Sequence, residues 1–327
     1  AISNWRGRHD TPKAWPSTGV STWLNGGLFG VAVTGAAYFA GGYEDGVGSV
    51  ATVDKFAFVD DSRTTLGTGL SAATKFLAGA ANSETAAYFA GGEDASGNVT
   101  TVNKFAFADD SRTTLGTGLT AGVYGLAGCA NSGTAAYFAG GNSGSRVTTV
   151  DKFAFSDDSR TTLGTGLSAG NYSLAGAANS GTAAYFAGGY TGSIVATVDK
   201  FAFSDDSRTT LGTGLSATAY ALAGAANSGT AAYFAGGQTP SASATVDKFA
   251  FSDDSRTTLG TGLSVATGNL AGAAKSGTAA YFAGGNASGA ATVVNKFAFS
   301  DDSRTTLGTG LSVGVYGNAG AANSGVL

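Results

Sequence analysis

The sequence predicts an all-β fold, a β-propeller built from four-stranded antiparallel blades. Glycine provides 53 of the 327 residues, and the segment AAYFAGG occurs six times at intervals of 50, 49, 48, 48 and 48 residues. A fixed period of this length indicates one structural unit per repeat, and four short strands in such a unit are typical of a propeller blade. The tyrosine of AAYFAGG stands at Tyr38, Tyr88, Tyr137, Tyr185, Tyr233 and Tyr281.

Each repeat contains four strand-like segments in a constant order, which are LAGAANS, TAAYFAGG, TVDKFAF and RTTLGTGLS or close variants of them. The small residues of LAGAANS predict the innermost strand, because blades converge on the axis and leave little room for side chains there. Aromatic residues in the second and third segments predict strands that are buried between neighbouring blades. The Gly-Gly, Asn-Ser-Gly and Asp-Asp-Ser segments between them form turns, and no helical period is sustained.

The two ends of the chain leave the number of blades open between seven and six. Six repeats occupy residues 28–317, residues 318–327 carry a further copy of the innermost strand, and residues 1–27 form an N-terminal arm with a degenerate fourth strand. We expect the two ends to build a composite seventh blade that closes the ring. The alternative is six blades, with both ends as extra strands outside the ring or against a neighbouring subunit.

Differences between the repeats are concentrated in two windows in each unit, one after Gly-Gly and one after TGLS. The first window covers residues 43–51, 93–100, 142–148, 190–196, 238–244 and 286–292, and the second covers residues 72–76, 121–125, 169–173, 217–221, 265–269 and 313–317. In an up-and-down blade both windows leave from the same face, which we name the varied face. The constant Asn-Ser-Gly and Asp-Asp-Ser-Arg turns leave from the opposite face, which we name the uniform face.

Six tyrosines lie in these windows and are the candidate ligand-binding residues: Tyr43, Tyr124, Tyr172, Tyr190, Tyr220 and Tyr316. Four of them share the position just before the innermost strand, so we expect them to surround the axis. Tyrosine combines apolar area with a polar hydroxyl group, which suits the recognition of sugars or proteins. The alternative is that these rings only cover the gaps between blades.

The constant turn carries two acidic residues and one arginine, for example Asp157, Asp158 and Arg160. A calcium ion needs six to eight oxygen ligands, more than one such turn supplies. We therefore expect Asp and Ser to cap backbone N–H groups of the turn, and Arg to pair with an acidic side chain of the same or the adjacent blade.

The repeats resemble kelch repeats, in which Gly-Gly also ends the second strand and an acidic turn joins the third strand to the fourth. Leu163 and its equivalents stand where kelch units usually carry Trp. The segment SDDSRTTL at 156–163 also resembles the Asp-box turn of sialidase-like propellers, with Arg for its Gly and Leu for its Trp. Both resemblances imply a propeller and say little about activity. The glycine-rich array is also similar to propeller proteins of bacteriophage virions, which implies a structural or receptor-binding role.

Composition argues against several functional classes. The formal net charge of −4 gives no electrostatic reason to expect nucleic acid as a partner, and no apolar stretch is long enough for a membrane-spanning helix. His9 and Cys129 are the only residues of their types, so we expect neither a metal site nor a cofactor.

A glycoside-acting enzyme would need acidic groups that break the repeat symmetry. Glu44 and Glu93 form such a pair in successive repeats and make this enzyme the third hypothesis. A sialidase-like site would also need clustered arginines, and outside the constant turn only Arg6, Arg8 and Arg146 exist. We therefore predict that the protein is not an enzyme.

The N-terminal arm is basic and rich in tryptophan, and its candidate assembly residues are Trp5, Arg6, Arg8, Trp15 and Trp23. The sequence as a whole favours a non-enzymatic propeller on a virion or extracellular surface, of tail-fibre or receptor-binding type, that engages a glycan or protein through its varied face. The alternative is a subunit of an extracellular filament or sheath, joined to copies of itself or to other virion subunits through terminal strands.

Overall fold

The computed structural model describes residues 35–323, which form a ring of six four-stranded antiparallel sheets. We number the blades I to VI by their second strands in chain order. Blades II to VI are each continuous in sequence, whereas blade I combines the C-terminal strand with three strands from the beginning of the described chain. The predicted all-β propeller of four-stranded antiparallel blades is confirmed.

The strands occupy four radial positions. From blade I to blade VI, the innermost strands are β28 (Ala319–Ala322), β6 (Ala78–Asn82), β12 (Ala127–Asn131), β16 (Ala175–Asn179), β20 (Tyr220–Asn227) and β24 (Ala271–Lys275). The second strands are β1 (Ala36–Ala40), β7 (Ala86–Ala90), β13 (Ala135–Ala139), β17 (Ala183–Ala187), β21 (Ala231–Gln238) and β25 (Ala279–Ala283).

The third strands are β4 (Val53–Ala57), β10 (Val102–Ala106), β14 (Val150–Ala154), β18 (Val198–Ala202), β22 (Val246–Ala250) and β26 (Val294–Ala298). The outermost strands are β5 (Arg63–Thr65), β11 (Arg112–Thr114), β15 (Arg160–Thr162), β19 (Arg208–Thr210), β23 (Arg256–Thr258) and β27 (Arg304–Thr306). Two short hairpins extend the varied face, β2–β3 (Tyr43–Glu44 and Gly48–Ser49) in blade I and β8–β9 (Glu93–Asp94 and Gly97–Asn98) in blade II.

The innermost strands touch one another through one glycine each, as the small-residue segment predicts. These glycines are Gly79, Gly128, Gly176, Gly224, Gly272 and Gly320, and we name them the glycine ring. A Cβ atom on any of them would overlap the carbonyl oxygen of the glycine in the preceding blade. Because the series returns from Gly320 of β28 to Gly272 of β24, the ring of backbone contacts is closed. Only a residue without a side chain permits this approach.

The prediction of seven blades is wrong, because β28 does not belong to a blade of its own. It pairs with β1 and takes the innermost position of blade I, with Tyr38 opposite Ala321. Blade VI then contacts blade I directly, since the Tyr281 hydroxyl and Lys296 Nζ lie 2.8 and 2.7 Å from Asp61. Six blades is the correct number, with the C-terminal strand inside the ring rather than outside it. The predicted strand within residues 1–27 lies outside the described residues.

Neighbouring blades are joined by the same three side chains at all six interfaces. In one blade, the AAYFAGG tyrosine and the lysine of the third strand both bind the second aspartate of the constant turn in the next blade. At the interface of blades II and III, Tyr88 donates to Asp158 at 2.7 Å and Lys104 Nζ lies 2.8 Å from the same carboxylate. The ring of Tyr88 also packs against Phe155 of the next blade, with ring centroids 5.1 Å apart. The predicted burial of the aromatic strands between blades is therefore confirmed.

Candidate functional site

The two varied windows of the sequence meet on one face of the ring, as predicted. The window before each innermost strand pairs with the post-Gly-Gly window of the same blade, through isolated antiparallel bridges in five blades and through the β20–β21 ladder in blade V. Tyr124 pairs with Asn142 in this way, and Tyr172 pairs with Tyr190. On the opposite face, Phe155 N donates to Thr134 O at 2.9 Å, which joins the two kinds of constant turn.

A closed ring of six backbone hydrogen bonds surrounds the axis on the varied face. Each residue at this position donates its N–H to the carbonyl oxygen of the equivalent residue in the neighbouring sector, with N···O distances of 2.6 to 2.8 Å. The six residues are Phe76, Gly125, Ser173, Ala221, Asn269 and Gly317, and all have positive φ. We name this the backbone ring. Because it uses main-chain atoms only, the centre of the varied face keeps one geometry while the side chains differ.

Six aromatic side chains form a continuous arc around this centre, which we name the aromatic arc. It runs in the order Tyr43, Tyr316, Phe76, Tyr124, Tyr172 and Tyr190, with successive ring centroids 5.2, 6.2, 6.2, 5.9 and 5.6 Å apart. All six side chains are partly exposed. Five of the six tyrosines predicted from the sequence are therefore brought together.

Two aromatic residues of the varied face do not follow the prediction. Tyr220 lies outside the arc, and its hydroxyl hydrogen-bonds the side-chain carbonyl of Gln238. Phe76 belongs to the arc although the sequence analysis did not select it. The available signal was that Phe76 is one of only two phenylalanines outside the repeated segments.

Positive charges stand at both ends of the aromatic arc. Lys75 Nζ lies 5.1 Å from the ring centre of Tyr43 and 5.6 Å from that of Phe76, and it pairs with Glu93 at 3.5 Å. At the other end, the Arg146 guanidinium lies 5.7 Å from the ring centre of Tyr190. These distances allow cation–π attraction, which holds the rings in place.

Charge is distributed unevenly over the varied face. All charged residues of the windows belong to blades I to III or to the connections between them, and they are Glu44, Asp45, Lys75, Glu93, Asp94 and Arg146. The windows of blades IV to VI contain none. One half of the face is therefore charged and the other half is neutral.

Of the two glutamates considered for hydrolysis, Glu93 forms an ion pair on the varied face, and the neighbouring Asp45 and Asp94 accept backbone hydrogen bonds there. Glu93 pairs with Lys75, and its backbone forms a bridge with the same residue. Asp94 Oδ1 accepts the Ser96 N–H at 2.7 Å, and Asp45 Oδ2 accepts the N–H of Ala290, in blade VI, at the same distance. These contacts hold the loops of blades I and II in position.

Two tyrosines of the arc have perturbed acidities. Burial raises the pKa of Tyr124, and the neighbouring Tyr172 and Glu93 raise it further. Burial, Tyr43 and Asp45 raise the pKa of Tyr316 in the same way. Both hydroxyl groups therefore stay protonated at neutral pH and can donate a hydrogen bond to a partner.

The constant turn on the uniform face has the structural role predicted for it. Asp157 Oδ1 accepts the Ser159 N–H at 3.0 Å, and Arg160 Nε lies 3.9 Å from Asp151 of the same blade. The second aspartate, Asp158, has a role that the sequence did not predict, because it joins two blades through Tyr88 and Lys104. In the described part of the chain, no group of three or more His, Cys, Asp or Glu residues is suited to holding a metal ion.

The candidate assembly residues Trp5, Arg6, Arg8, Trp15 and Trp23 lie outside residues 35–323. Cys129 is fully buried on β12, where other repeats carry alanine, and burial raises the pKa of its thiol. Within the described stretch, the chain forms no helix with the length and apolar character needed to cross a bilayer. No protein-family model matches this sequence, and no curated protein matches it.

Proposed function

We propose that this protein is a non-enzymatic binding propeller on a virion or extracellular surface, of tail-fibre or receptor-binding type, which engages a glycan or a protein through its varied face. The observation that carries the proposal is the aromatic arc. Six rings in continuous contact occupy windows that differ from repeat to repeat, on a scaffold whose other positions are nearly identical. A surface that varies on a constant support is suited to recognition.

The chemistry of the arc favours a glycan over a protein. Tyrosine rings offer flat apolar area at a low cost in conformational entropy, and their hydroxyl groups supply hydrogen bonds at the edge. Tyr172 lies within the arc, since its ring contacts both Tyr124 and Tyr190. The kelch-like repeats and the similarity to glycine-rich propellers of bacteriophage virions support a location on a virion or cell surface.

The test is the binding of a labelled sample of the whole protein to a glycan array and to intact microbial cells. Changing Tyr124 and Tyr172 together to Ala removes two adjacent rings from within the arc, and we expect binding to fall by about tenfold or more, as for loss of recognition residues that carry most of the binding energy. The matched control is Val59→Ser, which alters a residue that is 74% exposed on the uniform face. Most other repeats carry serine at this position.

Retention of binding by the double variant, with an unchanged melting temperature, would contradict the proposal. Loss of binding by Val59→Ser alone would show that the binding surface lies on the uniform face. Turnover of a chromogenic glycoside by the protein, abolished by Glu93→Gln, would show that it is an enzyme.

A further inference from the structure

An equivalent cleft opens on the varied face beside four of the second strands. Each cleft lies between a window that precedes an innermost strand and the phenylalanine of the following second strand, which is Phe138, Phe186, Phe234 or Phe282. The cleft volumes are about 20, 80 and 20 Å³ in blades III, IV and V, and about 320 Å³ in blade VI. The blade VI cleft is therefore the exception among positions that the repeat makes equivalent.

Two small residues account for the larger volume in blade VI. Ala291 N donates to Gly285 O at 2.9 Å as Val195 N donates to Gly189 O at 3.0 Å in blade IV, so the two residues are equivalent. The second small residue is Ala287, which stands where blades IV and V carry threonine. Blade V has serine at the position of Ala291 but keeps its threonine, and its cleft stays small.

The walls of the blade VI cleft are mostly apolar and carry no charge. Leu270, Phe282 and Val293 line it, and Val293 replaces the threonine found in the five other repeats. Asn295 lies on the wall where blade IV has Asp199. Its Oδ1 accepts the Ser264 N–H at 3.1 Å, whereas no described residue accepts a hydrogen bond from its Nδ2. The cleft thus combines apolar walls with one amide donor.

The residues beside this cleft also differ from their equivalents. Gly268, which follows the lining residue Thr267, stands where four other sectors carry a tyrosine of the varied face. The rim is braced from blade I, because Asp45 Oδ2 accepts the Ala290 N–H at 2.7 Å. The sector that carries glycine in place of this tyrosine is therefore also the sector with the enlarged cleft.

We propose that the blade VI cleft binds one uncharged sugar residue bearing an acetamido group, which deepens the proposed function and rests on it. The acetamido methyl group packs against Leu270, Phe282 and Val293, and the acetamido carbonyl oxygen accepts a hydrogen bond from Asn295 Nδ2. Cavities of about 300 Å³ and above are typical of small-ligand sites. An uncharged ligand suits this location because no lining residue is charged and the carboxylate of Asp45 at the rim is hydrogen-bonded to the Ala290 N–H.

The experiment is a titration of the whole protein by saturation-transfer difference NMR with two probes. The first probe is methyl 2-acetamido-2-deoxy-β-D-glucopyranoside and the second is methyl β-D-glucopyranoside, which lacks the acetamido group. We expect the acetamido probe to bind about tenfold more tightly, because the second probe leaves the amide donor and apolar walls unmatched.

Two variants test the location of the site. Ala291→Val restores the residue of blades III and IV and fills the cleft, and Asn295→Asp replaces the amide donor by the residue of blade IV. We expect each to weaken the acetamido probe by about tenfold. Ala169→Val, which copies the blade VI rim residue Val265 into blade IV, is the matched control and should change nothing.

Equal binding of the two probes, or full binding by Ala291→Val, would overturn the cleft proposal. The arc and the cleft can fail separately. Cell or array binding that survives Ala291→Val and disappears when Tyr124 and Tyr172 are changed to Ala would refute the cleft and keep the arc. Probe binding that is weakened by Ala291→Val and by Asn295→Asp, without any attachment of the protein to cells or to the glycan array, would keep the cleft and refute the arc.

Discussion

The uniform and varied faces of the ring join neighbouring blades through different kinds of atoms. Near the uniform face, blades are joined by the side chains of one tyrosine, one lysine and one aspartate, repeated at all six interfaces. On the varied face, the backbone ring joins the same sectors through main-chain atoms, and Phe76, Ser173 and Asn269 hold equivalent places in it. Side-chain contacts fix residue identity, whereas backbone contacts leave it free. This difference explains how one face can vary without loss of the ring.

The glycine contact between blades VI and I should tolerate an added Cβ no better than the glycine contacts between the other blades. A Cβ on Gly320 of β28 would overlap the Gly272 carbonyl oxygen, just as one on Gly224 would overlap that of Gly176. We expect Gly320→Ala and Gly224→Ala each to lower the free energy of unfolding by about 3 kcal/mol, which is the scale of overpacking in a close-packed core. Urea denaturation of both variants measures this.

Gly212→Ala is the control for these two variants, because a Cβ there would meet no atom within 4 Å. It should change the free energy of unfolding by less than about 0.5 kcal/mol, as is usual for surface substitutions. A Gly320→Ala variant as stable as Gly212→Ala would show that β28 does not close the ring.

A smaller effect distinguishes the tyrosines of the two regions. The Tyr185 hydroxyl donates to Asp254 at 2.7 Å, so Tyr185→Phe should cost about 1 to 2 kcal/mol, as expected for one hydrogen bond to a charged acceptor. Lys200, at 2.8 Å from the same carboxylate, limits the loss. Tyr190→Phe on the varied face is the control, because its hydroxyl donates to no described residue. Equal losses in the two variants would contradict the structural division between the two sets of tyrosines.

The same interface tyrosines predict how stability depends on pH. Burial, the hydrogen bond to aspartate and the charge of that aspartate all raise the pKa of Tyr185 above its ordinary value of 10.0. Stability from such a group is fully present below about pH 10 and is lost as the pH rises further, because the unfolded chain releases a proton that the folded chain retains. Denaturation between pH 8 and 11 should show this decline, and it should be shallower in Tyr185→Phe.

The fold followed from the sequence because repetition fixes the period and the residue types fix each strand. The number of blades did not, because the chain contains strands that can be grouped in two ways. What decides between six and seven is the distance between innermost strands, which depends on contacts such as that of Gly79 with Gly320. A sequence shows that a glycine is present but not which backbone approaches it.

The site was predictable only in part, and the reason is again spatial. Tyr124 and Tyr172 were selected because they break the repeat, and the structure places their rings in contact. Phe76 lies one position later in the equivalent window, residues 72–76, and the sequence does not show that its ring contacts that of Tyr124. The blade VI cleft depends on Ala287 and Ala291 acting together, which becomes visible only when the loops are folded.

The central claim is that the two varied windows share one face, and a disulfide between them tests it directly. Tyr124 and Asn142 exchange two backbone hydrogen bonds of 3.2 and 2.9 Å, which places their Cα atoms about 5.5 Å apart, within the range of a disulfide bond. In a Cys129→Ala background, Tyr124→Cys and Asn142→Cys should cross-link on mild oxidation, and mass spectrometry of the digest would detect the joined peptides. Asn142→Cys with Ser156→Cys, on the opposite face, should not. Cross-linking of the second pair, or none of the first, would contradict the arrangement of faces described above.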